Sequence, residues 1–546
     1  MTNHTKGDVG FMMNEYTGDS TERKSVQVPI LSRTVTTELT GDFSLPDYQP
    51  EIKRLLRIEP NILPPNRFAG SDGVEISGTL DYYVLYTGHD NGVYCAPLST
   101  EYRMTAEPNA EERGIMAEIS EPLLCLCDAT TETPTGRVTA PRRLQIRCPI
   151  QAAIKLYGEY RMRDADEPDS SSEMLLDEAT VNRLYWVPGE PLTLQDDVIL
   201  SPTDQEWRVV CAEGKVMITE ATPVAGAINC RGEVTLKLTL CPTETEDEFA
   251  SDVTEGHAAQ PLTVTQRKVP FSQTIEAAGV TPDCSATASG FCTDISVEME
   301  DGHAHVEMGI VTEARAQKNE SISYVKDLFS TRRKSACRYM TSPTEAAVHA
   351  LNGNFTLSDS LPLSEAGIDP AARIVDVTAM ASPEALTVDT AKNRCHLSGT
   401  CACHLLLLRE GEYTSADITL PFRYEFDGRL EGASNVPISF DGCLAVVNCR
   451  ARMDGERVGV DAEVAVSLRT YQSAPLTSLS DVDWGEEVTR RRGEYVICFP
   501  APTDTVWSVA KRYHAPMAAL TAANNLLAGR QADTRESLEG VGYLIV

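Results

Sequence analysis

Ile76-Ser-Gly-Thr-Leu-Asp-Tyr-Tyr-Val-Leu-Tyr86 decides the reading of this chain, because two later stretches restate it. They are Cys230-Arg-Gly-Glu-Val-Thr-Leu-Lys-Leu-Thr-Leu240 and Leu397-Ser-Gly-Thr-Cys-Ala-Cys-His-Leu-Leu-Leu-Leu408. In each, a glycine that reads as a small turn precedes a run alternating toward one face, the pattern of a half-buried β-strand. Gly78, Gly232 and Gly399 lie 154 and 167 residues apart (232 − 78 and 399 − 232). That spacing is the size of a domain and too long for a solenoid repeat of about 20–50 residues. The expectation is three copies of one β-rich unit.

Each copy closes on a second alternating strand. Leu144, Ile146, Cys148 and Ile150 share a face in the first, as do Val306, Met308 and Ile310 in the second. Val458, Val460, Ala462, Val464, Val466 and Leu468 do so in the third. Asp301-Gly302 and Asp454-Gly455 precede the last two, a strong hairpin signal. Ahead of the first copy, Val26–Leu39 reads as a strand pair. Leu45-Pro-Asp-Tyr-Gln-Pro-Glu-Ile-Lys-Arg-Leu-Leu-Arg-Ile58 reads as a turn and a short amphipathic helix, with Pro50 at its start and Ile52, Leu55 and Leu56 on one face. Strand-rich repeats with little helix predict a mainly β protein of sandwich-like units.

Polar stretches divide the chain. Residues 1–25 read as a mobile arm, 26–165, 173–340 and 345–472 as the three β-domains, 473–493 as a linker, and 494–546 as a small module. The basic triplets Arg332-Arg-Lys334 and Arg490-Arg-Arg492 read as solvated linker charge.

With 48 Lys+Arg against 80 Asp+Glu, the 546-residue chain has a net charge of −32. A surface of that sign repels phosphate backbones, so nucleic acid is not an expected partner. No apolar run approaches the roughly 20 residues of a membrane-spanning helix. The N-terminal residues lack a secretory pattern, and the sixteen cysteines are therefore expected as reduced thiols. Cys395, His396, Cys401, Cys403 and His404 invite a zinc reading. Aligned on the glycines, however, Cys401 falls on Leu80 and Val234, and Cys403 on Tyr82 and Leu236. Both thiols are then core residues, His404 faces the other way, and no metal or cofactor is expected. No G-x-S-x-G, H-E-x-x-H or phosphate loop is present, so no enzyme is expected.

The leucine-proline-aspartate stretch, the thrice-stated glycine strand and Val325-Lys-Asp-Leu-Phe-Ser-Thr331 together resemble SPOCS domains, β-rich modules of endospore-forming bacteria. The C-terminal stretch carries a second resemblance. Tyr495-Val-Ile-Cys498 reads as a strand and Thr503-Asp504 as a helix cap. Val506, Val509, Ala510 and Tyr513 form one helical face, and Pro516 opens a second helix facing inward through Met517, Leu520 and Ala523. Asn524-Asn525 ends that helix and Tyr543–Val546 closes the module. This β-α-α-β order, with Asp504-Thr505-Val506-Trp507 and Asn524, looks like a LysM domain.

A LysM domain implies binding of N-acetylglucosamine-containing glycan between two loops, here Thr503, Asp504 and Thr505, and Asn524, Asn525 and Leu526. The chain departs from that family at Thr503, where a glycine is usual, and in a long 526–540 connection. SPOCS repeats with one C-terminal LysM domain resemble SipL-type spore coat morphogenetic proteins. That resemblance implies a non-enzymatic scaffold in the mother-cell cytoplasm, at the forespore surface, whose partner is the spore coat-anchoring ATPase. The rival is a cell-wall glycan binder outside the cell.

Overall fold

The computed structural model describes residues 25–162, 171–201, 205–243, 261–300, 302–389, 394–427, 438–488, 496–524 and 537–546. Residues 1–24, the 164–170 boundary, Asp301, Arg490–Arg492, Tyr495, Asn525, Leu526 and the rest of 525–536 lie outside these. In the first unit the strands are β1 (Ser25–Ser44), β2 (Ile52–Ile62), β3 (Asn66–Gly70), β4 (Gly73–Gly88), β5 (Val93–Ala106), β6 (Ile119–Thr131), β7 (Thr135–Ala140) and β8 (Arg143–Arg161), with helix α1 (Ala110–Ala117) before β6. In the second they are β9 (Ser172–Pro188), β10 (Leu192–Ile199), β11 (Trp207–Val224), β12 (Ala227–Pro242), β13 (Thr263–Glu276), β14 (Ser285–Glu300) and β15 (His303–Ser330). After β16 (Arg333–Ser342) the third has β17 (Glu345–Pro362), β18 (Arg373–Asp389), β19 (Arg394–Arg409), β20 (Glu412–Asp427), β21 (Ile438–Asp454) and β22 (Arg457–Ser473), followed by β23 (Leu476–Glu487).

One wiring scheme recurs. β1 and β6 flank β8, β9 and β10 share one side of β15 with β14 on the other, and β17 and β21 flank β22. The facing sheets are β2-β4-β5, β11-β12-β13 and β18-β19-β20, with the glycine strand central each time. Each pair of sheets encloses its own apolar core. The fold is mainly β, and the closing strands bury the faces that the alternation assigns to the core: Leu144, Ile146, Cys148 and Ile150, then Val306, Met308 and Ile310, then Val458 through Leu468.

The repeated glycine is not a turn. Gly78, Gly232 and Gly399 sit inside β4, β12 and β19, directly opposite Tyr102, Phe271 and Phe422. A Cβ there would come within 2.7–2.8 Å of each ring, so the aromatic covers the bare backbone of its neighbour. The signal read as a break in the chain is a packing site. Gly399 is the tightest, because its Cβ would also lie 2.2 Å from the Ser382 carbonyl oxygen. Gly399→Ala should destabilise the chain by about 1–3 kcal/mol, the usual scale of overpacking. An unchanged urea midpoint would refute this.

Three local readings are corrected. Residues 50–56 form no helix: a turn closes at Gln49, whose N–H donates to the Pro46 carbonyl (3.0 Å), and β2 begins at Ile52. Register shifts between Ile52 and Arg54 and between Leu55 and Arg57 insert extra residues into the strand. The buried positions then recur at spacings that imitate a helix. Val26–Leu39 is part of one strand, not two. The stretch read as a linker over 473–493 holds β23, which pairs with β16. Its alternating Leu476, Ser478 and Val482 are buried beside Leu479, a face hidden in the sequence by the surrounding acidic and polar residues.

The three units meet through buried charge. Arg57 on β2 donates Nη1 to Asp376 on β18 (2.7 Å) and Nη2 to Glu213 on β11. Lys237 stands 2.6 Å from Asp376, and Lys215 2.9 Å from Glu59. The closing strands supply a second junction. Lys155, Arg315 and Arg469 each follow a core residue of β8, β15 and β22 (Ile154, Ala314, Leu468). Arg315 binds Asp128 of the first unit (2.9 Å), while Arg469 and Lys155 both reach Asp441 of the third (2.5 and 3.0 Å). Arg67 binds Glu313 through both nitrogens (2.8 and 2.7 Å). Desolvation offsets much of the attraction in buried pairs of this kind, so their net stabilisation is small although removal of one partner is costly.

Burial alone would raise the carboxyls of Glu59, Asp376 and Asp441. Lys215 and Arg57, Lys237 and Arg57, and Arg469 and Lys155 respectively outweigh it and hold all three below the usual carboxylate range. A depressed carboxylate contributes stability above its unfolded value and loses it as pH falls through the folded one. The junctions should therefore hold from neutral pH down to about pH 4, weaken progressively below it, and fail as the pH falls through the depressed folded values. An increase in radius of gyration by X-ray scattering only under those acid conditions is the expected result. Separation already at pH 6 would contradict it.

Candidate interaction site in the C-terminal module

Residues 496–524 and 537–546 build a two-stranded antiparallel sheet, β24 (Ile497–Cys498) with β25 (Leu544–Ile545), and two helices, α2 (Val506–Tyr513) and α3 (Met517–Ala523). Val506, Val509 and Ala510 are buried as the helical face requires, with Leu520 from α3 and Cys498, Leu538 and Leu544 around them. Ala523, read as inward, is exposed. α2 is capped by Thr505, not by Thr503 or Asp504: Thr505 Oγ1 accepts from the Ser508 N–H (3.1 Å), and Ser508 Oγ accepts from the Thr505 N–H (2.9 Å).

Asp504 is held elsewhere. Arg512 donates to both its oxygens (2.6 and 3.1 Å) and the Ala501 N–H donates to one of them (2.9 Å). Chiefly through the Arg512 bond, its carboxyl lies below the ordinary range. Asn524 is also internal. It donates Nδ2 to the Leu520 and Ile545 carbonyls (2.8 and 2.7 Å) and accepts from the Ile545 N–H (2.8 Å), which fastens α3 to β25. Of the candidate loop residues, Thr503 is exposed, Thr505 half-buried, and Asp504 and Asn524 buried. Asn525 and Leu526 are outside the described residues.

The module does not hang free. Phe329 of β15 belongs to its core and packs edge-on against Trp507, with ring centroids 4.9 Å apart. Trp507 Nε1 donates to Asp327 (2.8 Å), which also accepts from Lys511 Nζ (2.5 Å) and Tyr339 OH (2.6 Å). His514 Nδ1 lies 2.9 Å from the Ser330 carbonyl, and the Met517 N–H donates to Glu173 (3.2 Å). Burial disfavours the Asp327 carboxylate, yet these donors hold it below its usual range. A register shift between Val325 and Asp327 aims Asp327 and Phe329 at the module, while Val325 and Leu328 join Leu479 and Val482 in a separate cluster. In the sequence, 325–331 and Trp507 belong to two different resemblances, and nothing local joins them. The one available signal was that buried Trp507 lies off the 506-509-510-513 face.

Among the described residues, the docked module turns several large apolar side chains outward. Val496, Ile497, Phe499 and Tyr543 are 43%, 59%, 75% and 49% exposed, a concentration unusual for a solvated surface. Cys401 and Cys403, by contrast, are 0% and 2% exposed in the third core. His404 points away from them, between Asp417 (2.6 Å) and the Leu56 carbonyl (2.9 Å). Among the described residues no group of three or more His, Cys, Asp or Glu is placed to hold a metal, and no helix is long and apolar enough to cross a membrane. A cleft of about 640 Å³ opens where the units meet. Lys155, Asp128, Glu313 and Asp441 on its wall are members of the ion pairs described above.

Residues 208–300, from β11 through β14, match the family model described as SipL, SPOCS domain. Neither curated proteins nor solved structures yield a match to the chain. The family match supports a SipL-like family and suggests a sporulation-related role.

Proposed function

We propose that the chain is a non-enzymatic scaffold of spore coat assembly, in which all three β-units are SPOCS domains and the C-terminal module is a LysM domain turned to protein contact. The first and third units share the wiring and the glycine–aromatic pair of the matched second unit, which supports extending the assignment to them. The partner in this reading is the spore coat-anchoring ATPase, met in the mother-cell cytoplasm at the forespore surface. The observation that carries it is the module's polarity. Asp504 and Asn524 are committed to bonds within the module, while Phe499, Ile497, Val496 and Tyr543 are exposed on a module in contact with β15.

Capture of the ATPase by the full chain, with and without a chitin oligosaccharide, tests this. Undiminished capture in the presence of the oligosaccharide, and its loss in Phe499→Asp with the fold intact by circular dichroism, are expected. Competition by the oligosaccharide would favour the glycan reading. A fluorescent fusion should form a ring around the forespore, and location in the cell wall or medium would contradict the proposal.

A further inference from the structure

Sixteen thiols are distributed through the chain, most of them singly in the cores. Cys95 and Cys211 differ. They belong to β5 of the first unit and β11 of the second, 116 positions apart, and their sulfurs stand 3.3 Å from each other. The two strands run beside each other, and the sulfurs need to close by little more than 1 Å to reach an S–S bond of about 2.05 Å. Cys211 is buried, whereas Cys95 is partly exposed, so Cys95 is the member that a small reagent entering from solvent meets first. Cys401 and Cys403, at 3.8 Å, lie two residues apart on one strand face and are sealed in a core, with parallel Cβ directions that do not suit a bridge.

We infer that Cys95 and Cys211 form a peroxide-sensitive dithiol that closes to a disulfide between the first and second units. The Cys95 thiolate attacks one oxygen of the peroxide, the O–O bond breaks, and protonated hydroxide leaves as water, so that Cys95 becomes a sulfenic acid. Cys211 Sγ then attacks that sulfur. The S–S bond forms, the S–O bond breaks, and the departing hydroxide takes the Cys211 proton. Two thiols are oxidised and one peroxide is reduced to two waters. The bridge would lie beside the first junction, since Cys211 Sγ is 3.6 Å from Glu213, the acceptor of Arg57. Oxidation therefore locks together units that are otherwise joined there by contacts and charge.

The test uses the full chain, reduced, freed of reductant and exposed to hydrogen peroxide. Peptide mapping should show the Cys95–Cys211 linkage as the dominant product, with loss of two hydrogens and complete reversal by dithiothreitol. The oxidised protein should melt above the reduced one, and Cys95→Ala, folded by circular dichroism, should lose both the linkage and the shift. Because the wild-type map needs no variant, a misfolded Cys95→Ala would leave the test intact. A different dominant pairing, sulfinic acid at Cys95 without linkage, or peroxide-inert thiols at both positions would each overturn the inference.

Discussion

Arg57→Met should destabilise the chain by about 3–5 kcal/mol, the cost of removing one partner from a buried charge cluster. Arg57, Glu213 and Asp376 are 3%, 5% and 8% exposed and come from three different units. The guanidinium bridges both carboxylates, and its own charge is strongly favoured. Burial opposes it, but Glu213, Asp376 and Glu59 prevail. Without it, Glu213 and Asp376 are left in a buried site to the Lys237 ammonium, 3.9 and 2.6 Å away, with Lys215 the next cation near Glu213. Against a domain stability of roughly 5–15 kcal/mol, that loss is large, and it should fall on the arrangement of the units as well as on their folding. Denaturant unfolding gives the magnitude, and scattering gives the arrangement. Protonation relieves an unpaired carboxylate, so the gap between variant and wild type should narrow as pH falls. Replacing the whole cluster with apolar residues of similar volume should recover most of the loss. A loss under about 1 kcal/mol, the scale of a solvent-exposed pair, would mean that the cluster is not sealed as described.

Val509→Asp should detach and unfold the C-terminal module while leaving the three cores intact. Val509 is fully buried in a core of few residues that includes Phe329 from β15. An unpaired carboxylate there costs several kcal/mol or must take up a proton. A module of about 50 residues has only some 2.5–7.5 kcal/mol to lose, at ~0.05–0.15 kcal/mol per residue. Unfolding of α2 withdraws Trp507 from Phe329 and Asp327, so tryptophan emission should shift red and limited proteolysis should release the C-terminal residues first. Capture of the ATPase should disappear with it. Native emission together with full capture would place the contact in the β-units instead. Asp327→Asn separates docking from folding. It removes the charge that Lys511 meets but leaves an acceptor for the Trp507 N–H, so the module should stay folded and loosen from β15.

Sequence by itself determined the class and the repetition. Alternation with period 2 survives in any strand with one buried face, so the closing strands, the core cysteines at 401 and 403 and the four-element order of the C-terminal module were all legible. Asn109-Ala-Glu-Glu112 carries a local signal of the same kind: Asn109 and Glu112 form the capping box of α1. What the tertiary structure alone decided has a common cause, since each case turns on a partner distant in the chain. Gly78, Gly232 and Gly399 read as turns until their opposite strands supplied an aromatic ring. Ile52–Ile58 read as a helix because bulges set by pairing with β4 broke its alternation. Leu476–Glu487 read as a linker because its partner is β16, more than a hundred residues away. Arg57, Glu213 and Asp376 are ordinary polar positions on three strands, and only the packing of three units makes them one buried cluster. Asp504 and Asn524 carried a glycan-binding expectation from a resemblance. Arg512 engages Asp504 and the Ile545 backbone engages Asn524, while Phe329 and Asp327 determine which face of the module lies against β15.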